Sequence, residues 1–168
     1  MTCPLQMSCG GDGSLFSVQD INRDGLPEVS ISGGQCAYGR CATSLDIFAW
    51  RNGAMVNIAD DAMRWEIVSG GGGVPAAPPA STWTFQNVDD DPPLEMVQTG
   101  TINGSMACTF QITRVFDWDA RIDRYVAGDE TTTYDESEGC ARRQAHFALL
   151  DNDYEAAITH YERAITLL

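Results

Sequence analysis

Lysine is absent from this 168-residue chain; all ten basic residues are arginines. That removes Schiff-base chemistry, amine nucleophiles and the lysine of a phosphate-binding loop. Histidine is scarce as well. His146 and His160 stand alone, too few for a zinc site built mainly from imidazoles. No Cys-x-x-Cys pair occurs, which takes away a thioredoxin-type redox site and a zinc ribbon. No Gly-x-Ser-x-Gly elbow occurs either, so a serine hydrolase of that kind has no nucleophile. No apolar run approaches the ~20 residues that cross a bilayer, and none is expected to. Positive charge is outweighed throughout: 24 Asp and Glu leave a formal charge of -14. Such a surface repels phosphate backbones, which argues against a nucleic-acid partner, and it attracts divalent cations.

What is present is enough for a folded domain. Apolar residues make up 43% of the chain, sufficient for a packed core. Six cysteines form an even set at 3, 9, 36, 41, 108 and 140. In a chain this small they read as disulfides made in an oxidising compartment. The expected location is therefore extracytoplasmic (secreted, periplasmic or cell-surface). The opening "MTCPLQMSCGG" is no signal peptide, so an export signal is expected to lie outside this sequence. Six cysteines leave the connectivity open. The expected pairing is Cys3 with Cys9, Cys36 with Cys41 across a short loop, and Cys108 with Cys140.

An internal repeat organises the middle of the chain. "FSVQDINRDGLPEVSISG" (16 to 33) aligns with "WTFQNVDDDPPLEMVQTG" (83 to 100) at an offset of 67. Gln19 falls on Gln86, Asp24 on Asp91, Glu28 on Glu95, Gly33 on Gly100 and, further on, Cys41 on Cys108. After a one-residue insertion "FAW" (48 to 50) meets "FDW" (116 to 118). The texture of each unit is β. "PEVSIS" alternates, and "LDIFAW" and "FQITRVFDW" are rich in β-branched and aromatic residues. "LFSV" is expected to open the first unit and "RWEIV" the second. Between the units, 69 to 81 reads "SGGGGVPAAPPAS", a flexible linker spaced by proline.

From about Glu138 the period changes to three and four, with a polar break at "DND", as in a helix, a tight turn and a second helix. The expected fold is mainly β with a C-terminal α-hairpin. Two tandem, blade-like, four-stranded antiparallel units span about 12–68 and 82–137, and the hairpin spans 138–168. Two units are too few to close a propeller. They are expected to pack on each other, with the hairpin covering one edge.

The acidic turn of each unit is the candidate metal site. Asp20, Asn22 and Asp24 alternate, Gly25 permits a sharp turn, and Glu28 follows. Side chains at positions 1, 3 and 5 of a curled loop converge, and the main-chain carbonyl of Leu26 with the Glu28 carboxylate completes a hard oxygen cage suited to calcium. An EF-hand is excluded, because its twelfth position here is Ile31, inside a strand-like run. In the second copy Asn87, Asp89, Asp91 and Glu95 keep oxygen at the ligand positions. Pro92 replaces the turn glycine there, and proline cannot take a positive φ. The second loop is therefore the weaker candidate.

These residues resemble the calcium loop and strand of FG-GAP/VCBS repeats, the blade-like units of integrin-type propellers and many secreted bacterial proteins. The resemblance implies calcium at Asp20, Asn22, Asp24, Leu26 (main chain) and Glu28, where Glu28 departs from the family's frequent aspartate. "DYEAAITHYERAI" near the end resembles one tetratricopeptide repeat, with Ala145, Ala157 and Ala164 at its small-residue positions and Tyr161 at its aromatic one. That second resemblance implies a groove for a peptide, and helical arrays of this kind usually hold about three repeats.

Calcium wrapped in such a loop fixes a turn, so the implied role is architectural. The function expected is a non-enzymatic interaction or adhesion module with a protein or peptide partner. The alternative is a structural spacer, or the front of a larger helical scaffold. A glycan-active enzyme would need Asp60 with Asp61, or the run from Asp89 to Asp91, as its two carboxylates. Neighbouring acids on a strand point to opposite faces and make a poor pair. Trp50, Trp83 and Trp118 occupy repeat positions expected in the core. Trp65 has no repeat partner and is the candidate binding residue.

Overall fold

The computed structural model describes residues 14–37, 40–59, 64–68, 81–90, 93–103 and 106–168. The first sheet contains β1 (Ser14–Gln19), β2 (Glu28–Ala37), β3 (Arg40–Arg51), β4 (Ala54–Asn57) and β5 (Arg64–Val68). Its order is β1-β2-β3-β4, and β5 pairs with the N-terminal half of β3 while β4 takes the C-terminal half. "RWEIV" thus completes the first sheet, not the second as its position ahead of the second unit suggested. Long β3 has room for two short partners along one edge. The second sheet runs β6 (Ser81–Gln86), β7 (Glu95–Asn103), β8 (Thr109–Asp119) and β9 (Arg124–Tyr134) in sequence order. Both sheets are antiparallel and open, and two helices follow, α1 (Glu138–Leu150) and α2 (Tyr154–Thr166). The turn "RNG" closes β3 on β4, with Asn52 and Gly53 at φ 51° and 86°, the left-handed pair a tight hairpin requires.

The chain forms two compact units whose boundaries cut across β7, β8 and β9. The first unit holds residues 1–98 and 114–129. Its core joins Leu45, Ile47 and Ala49 of β3, with Ile21 and Ile58, to Trp83, Met96, Phe116 and Tyr125 of the second sheet. Burying a large apolar side chain contributes about 1.5–3 kcal/mol, so this row dominates the unit. Backbone bonds reinforce it: Leu94 N–H donates to Ile21 O at 2.9 Å, and Tyr125 N–H to Ile58 O at 2.9 Å.

The two repeats use opposite faces in that core. Inward residues of β3 are the odd ones, whereas Phe116 and the half-buried Trp118 align with the even-numbered Phe48 and Trp50. Trp50 is therefore 52% exposed, against the expectation from the repeat. Equivalent positions need not be equally buried when like sheets stack with unlike faces in contact.

The second unit holds residues 99–113 and 130–168. Here Cys108, Phe110 and Cys140 are buried, with Ile102, Ile112 and Tyr134 packed against them. Cys108 and Cys140 are disulfide-bonded, and the Arg143 guanidinium lies 4.9 Å from the centre of the Phe110 ring. Ser137 caps α1, its hydroxyl accepting from Cys140 N–H at 3.2 Å. Asp153 caps α2 in the same way through Ala156 N–H at 3.0 Å. Ala141 and Ala145 of α1 and Ala157 and Ala164 of α2 are buried.

Candidate functional site

The first acidic loop links β1 to β2, and its side chains are tied to its own backbone. Asp20 Oδ2 accepts from Gly25 N–H at 3.0 Å, Asn22 Oδ1 from Asp24 N–H at 3.0 Å, and Asp24 Oδ1 from Leu26 N–H at 2.8 Å. Short oxygen-bearing side chains capture nearby amides in this manner. They bend the chain through Arg23 (φ 59°) and Gly25 (φ 91°). Gly25 makes that second left-handed step without a Cβ penalty.

Glu28 enters from the start of β2 and is 1% exposed. Its Oε2 accepts from Ile21 N–H at 3.0 Å, while Oε1 is buried with no partner. Burial raises its pKa; the Ile21 bond pulls the other way and the Asp24 charge adds to the rise. Asp24 Oδ2 meets Arg51 Nη1 at 2.9 Å and also accepts from Asn22 Nδ2 at 3.3 Å. Arg51 in turn grips both carboxylate oxygens of Asp123 through Nε and Nη2, at 2.6 and 3.1 Å. The loop is thereby tied to the β8–β9 turn within the first unit. Sequence reasoning missed Arg51, because its partners lie 27 and 72 positions away and no local spacing announces them.

The second acidic loop repeats the clamp. Glu95 is buried and accepts from Val88 N–H, as Glu28 does from Ile21 N–H, and both donors lie seven residues back. Asp90, at the repeat position of Arg23, is again left-handed (φ 68°). The Asn87 bond differs, since its Oδ1 accepts from Asp90 N–H at 2.6 Å. Between the loops lies Tyr125, buried, with a pKa raised by burial and then by the Glu28 and Glu95 charges.

The oxygen set of the first loop suits a hard cation: Asp20, Asn22 and Asp24 share one turn with a buried glutamate that has an oxygen to spare. Arg51 is the competitor, holding the Asp24 oxygen such an ion would need. Among the described residues no three His, Cys, Asp or Glu side chains are grouped closely enough to hold a metal ion, so Asp20, Asp24 and Glu28 do not converge as they stand. Leu26 contributes its N–H to the turn and has an exposed side chain.

Other candidates scatter. Asp91, Pro92, Asp60, Asp61, Cys3 and Cys9 lie outside the described residues, as do the side chains of Trp65, Cys36 and Cys41. The β2–β3 register sets Cys36 opposite Cys41 along the backbone. Trp83 is buried and rests 6.2 Å from Phe116, ring centre to ring centre. His146 is exposed and His160 half-buried, on different helices. No described helix is long and apolar enough to cross a membrane.

Compared with known proteins, the chain matches no family model, no curated protein and no solved structure.

Proposed function

We propose that this chain is a non-enzymatic, extracytoplasmic interaction module of the FG-GAP/VCBS kind, in which calcium at Asp20, Asn22, Asp24, Leu26 (main chain) and Glu28 stiffens the first repeat. The observation that carries the reading is Glu28. One of its oxygens is spent on the Ile21 amide, and the other is buried without a hydrogen-bond partner at the end of the loop that carries Asp20, Asn22 and Asp24. A buried carboxylate oxygen left alone is costly, and a cation would satisfy it. The role is read as architectural: Glu28 and Glu95 each hold a loop amide, an arrangement that fixes turns.

Two further features support a binding role outside the cytoplasm. The Cys108–Cys140 bond suits an oxidising compartment. On α2, Tyr154, Ile158, Tyr161 and Ile165 recur at helical spacing and are exposed, as a tetratricopeptide-like surface for a protein or peptide would be.

Thermal unfolding after chelation, then in a calcium titration, tests the loop. An ion bound only to the folded chain adds RT ln(1 + [L]/Kd), about 2.7 kcal/mol at a hundredfold excess over Kd. The expected outcome is a calcium-dependent rise in Tm that Asp24→Ala abolishes. An unmutated protein indifferent to calcium would reduce the loop to a turn held by its own hydrogen bonds and Arg51.

A further inference from the structure

Each carboxylate of the first loop commits one oxygen to a backbone amide: Asp20 to Gly25, Asp24 to Leu26 and Glu28 to Ile21. The oxygens left over decide how the loop meets a cation. That of Glu28 is buried without a hydrogen-bond partner. That of Asp24 is taken, by Arg51 Nη1 at 2.9 Å and by Asn22 Nδ2 at 3.3 Å. An ion that recruits Asp24 must first displace Nη1 from it.

Arg51 is built to let go of Asp24 without leaving the site. Its Nε and Nη2 grip both oxygens of Asp123 at 2.6 and 3.1 Å, a bidentate fork that fixes the plane of the guanidinium. Nη1 alone reaches Asp24, and it also donates to the Trp50 carbonyl at 3.2 Å. Release of Asp24 leaves the fork closed and the arginine tethered beside the loop. The Asp24 pair is partly exposed, its side chains 18 and 35% accessible. Such a pair is weak enough for a divalent ion to displace, yet strong enough to weaken that ion's binding several-fold.

The internal repeat shows that this arm is no requirement of the β unit. With the one-residue insertion, Arg51 falls on Asp119. Asp119 pairs with Arg121, two residues on, at 2.7 Å. The second loop keeps its glutamate clamp on Val88 N–H all the same. Arginine at this position belongs to the first repeat, the one with the stronger ligand set.

We propose that Arg51 is a tethered competitor that sets the calcium affinity of the first loop: its guanidinium neutralises Asp24 until calcium takes that oxygen, and then stays on Asp123. The inference rests on calcium binding at this loop and adds its regulation. Two cations that exclude each other at Asp24 are linked reciprocally, so removing the arginine must tighten calcium. A merely structural arginine would act the other way, because its loss would loosen the loop and weaken binding.

Isothermal titration calorimetry of calcium into the whole chain, stripped beforehand with chelator, provides the test. Arg51→Gln should bind calcium about three- to tenfold more tightly than the unmutated protein. Arg51→Lys keeps the positive charge and should stay within about threefold of the unmutated protein. Should Arg51→Gln fail to fold, Arg51→Met, which keeps an apolar stem, replaces it. An unmutated chain that binds calcium as tightly as Arg51→Gln, or more tightly, overturns the competition and leaves the calcium reading standing. An equal gain in Arg51→Lys overturns it too, because charge would then not be the competitor. Calcium bound by Arg51→Gln alone upholds the competition and overturns calcium binding by the unmutated chain. Calcium bound by neither overturns both.

Discussion

The Tyr125 phenol is buried and donates to the Leu94 carbonyl at 2.8 Å, in the same unit as the two clamping glutamates. Burial, with the Glu28 and Glu95 charges, opposes phenolate formation and lifts its pKa above the ordinary 10.0. The consequence for stability has a definite sign. Below the ordinary value both folded and unfolded chains keep the proton, and this group adds no pH dependence. Above it the unfolded chain releases the proton while the folded chain retains it, so stability falls as pH rises toward the folded value. Phenolate absorbance in an alkaline titration should therefore show Tyr125 ionising only with unfolding. Tyr125→Phe should remove that part of the alkaline loss, and at neutral pH cost about 1 kcal/mol for the missing bond to Leu94. A phenol titrating in the folded chain at its ordinary value would contradict this placement.

At the scale of elements, the α-hairpin depends on one covalent tether. Its helices are 13 residues each, short enough to be marginal alone. Ser137 and Asp153 cap their starts, and small residues let α1 and α2 approach. Gly139 stands where any Cβ would collide with the Met106 carbonyl, so the first turn of α1 needs glycine to sit against that turn. The Cys108–Cys140 bond then closes a loop of sequence separation 32 between the residue preceding β8 and α1. Loop-closure entropy puts its loss at roughly 3–4 kcal/mol. Comparing the oxidised protein with its Cys108→Ser, Cys140→Ser double variant in urea should show that difference. The helical signal at 222 nm should be lost earlier than the β signal. Coincident loss at an unchanged midpoint would mean that packing alone anchors the helices.

Across the whole chain, stacking of unlike faces explains an oddity in the core. Gln98 is fully buried, and neither its amide nitrogen nor its amide oxygen has a partner. It lies two residues beyond Met96, on the same face of β7, where the repeat carries Ile31. In the first sheet that position is half-buried on the outward face; in the second the same face packs inward. A buried amide without partners costs about 1–3 kcal/mol. Gln98→Ile should therefore raise the urea midpoint by an equivalent amount with m unchanged. A destabilised variant would show that Gln98 is held by a polar partner in solution.

Much of this protein was legible along the chain because it is encoded locally. Alternation marked β2 and the 3.6 period marked α1 and α2. Asn-Gly marked the β3–β4 turn, and the 67-residue offset matched the loops so closely that Glu28 and Glu95 repeat one clamp. Other features depended on distant chain. β5 joined the first sheet because β3 had an open edge, and Arg51 found Asp24 and Asp123 across long separations. Strand periodicity divides side chains between two faces, but either face can be the buried one. Only the packing of one sheet on the next, paid for by the apolar area it removes from water, decided that Trp118 would turn toward the core and Trp50 toward solvent.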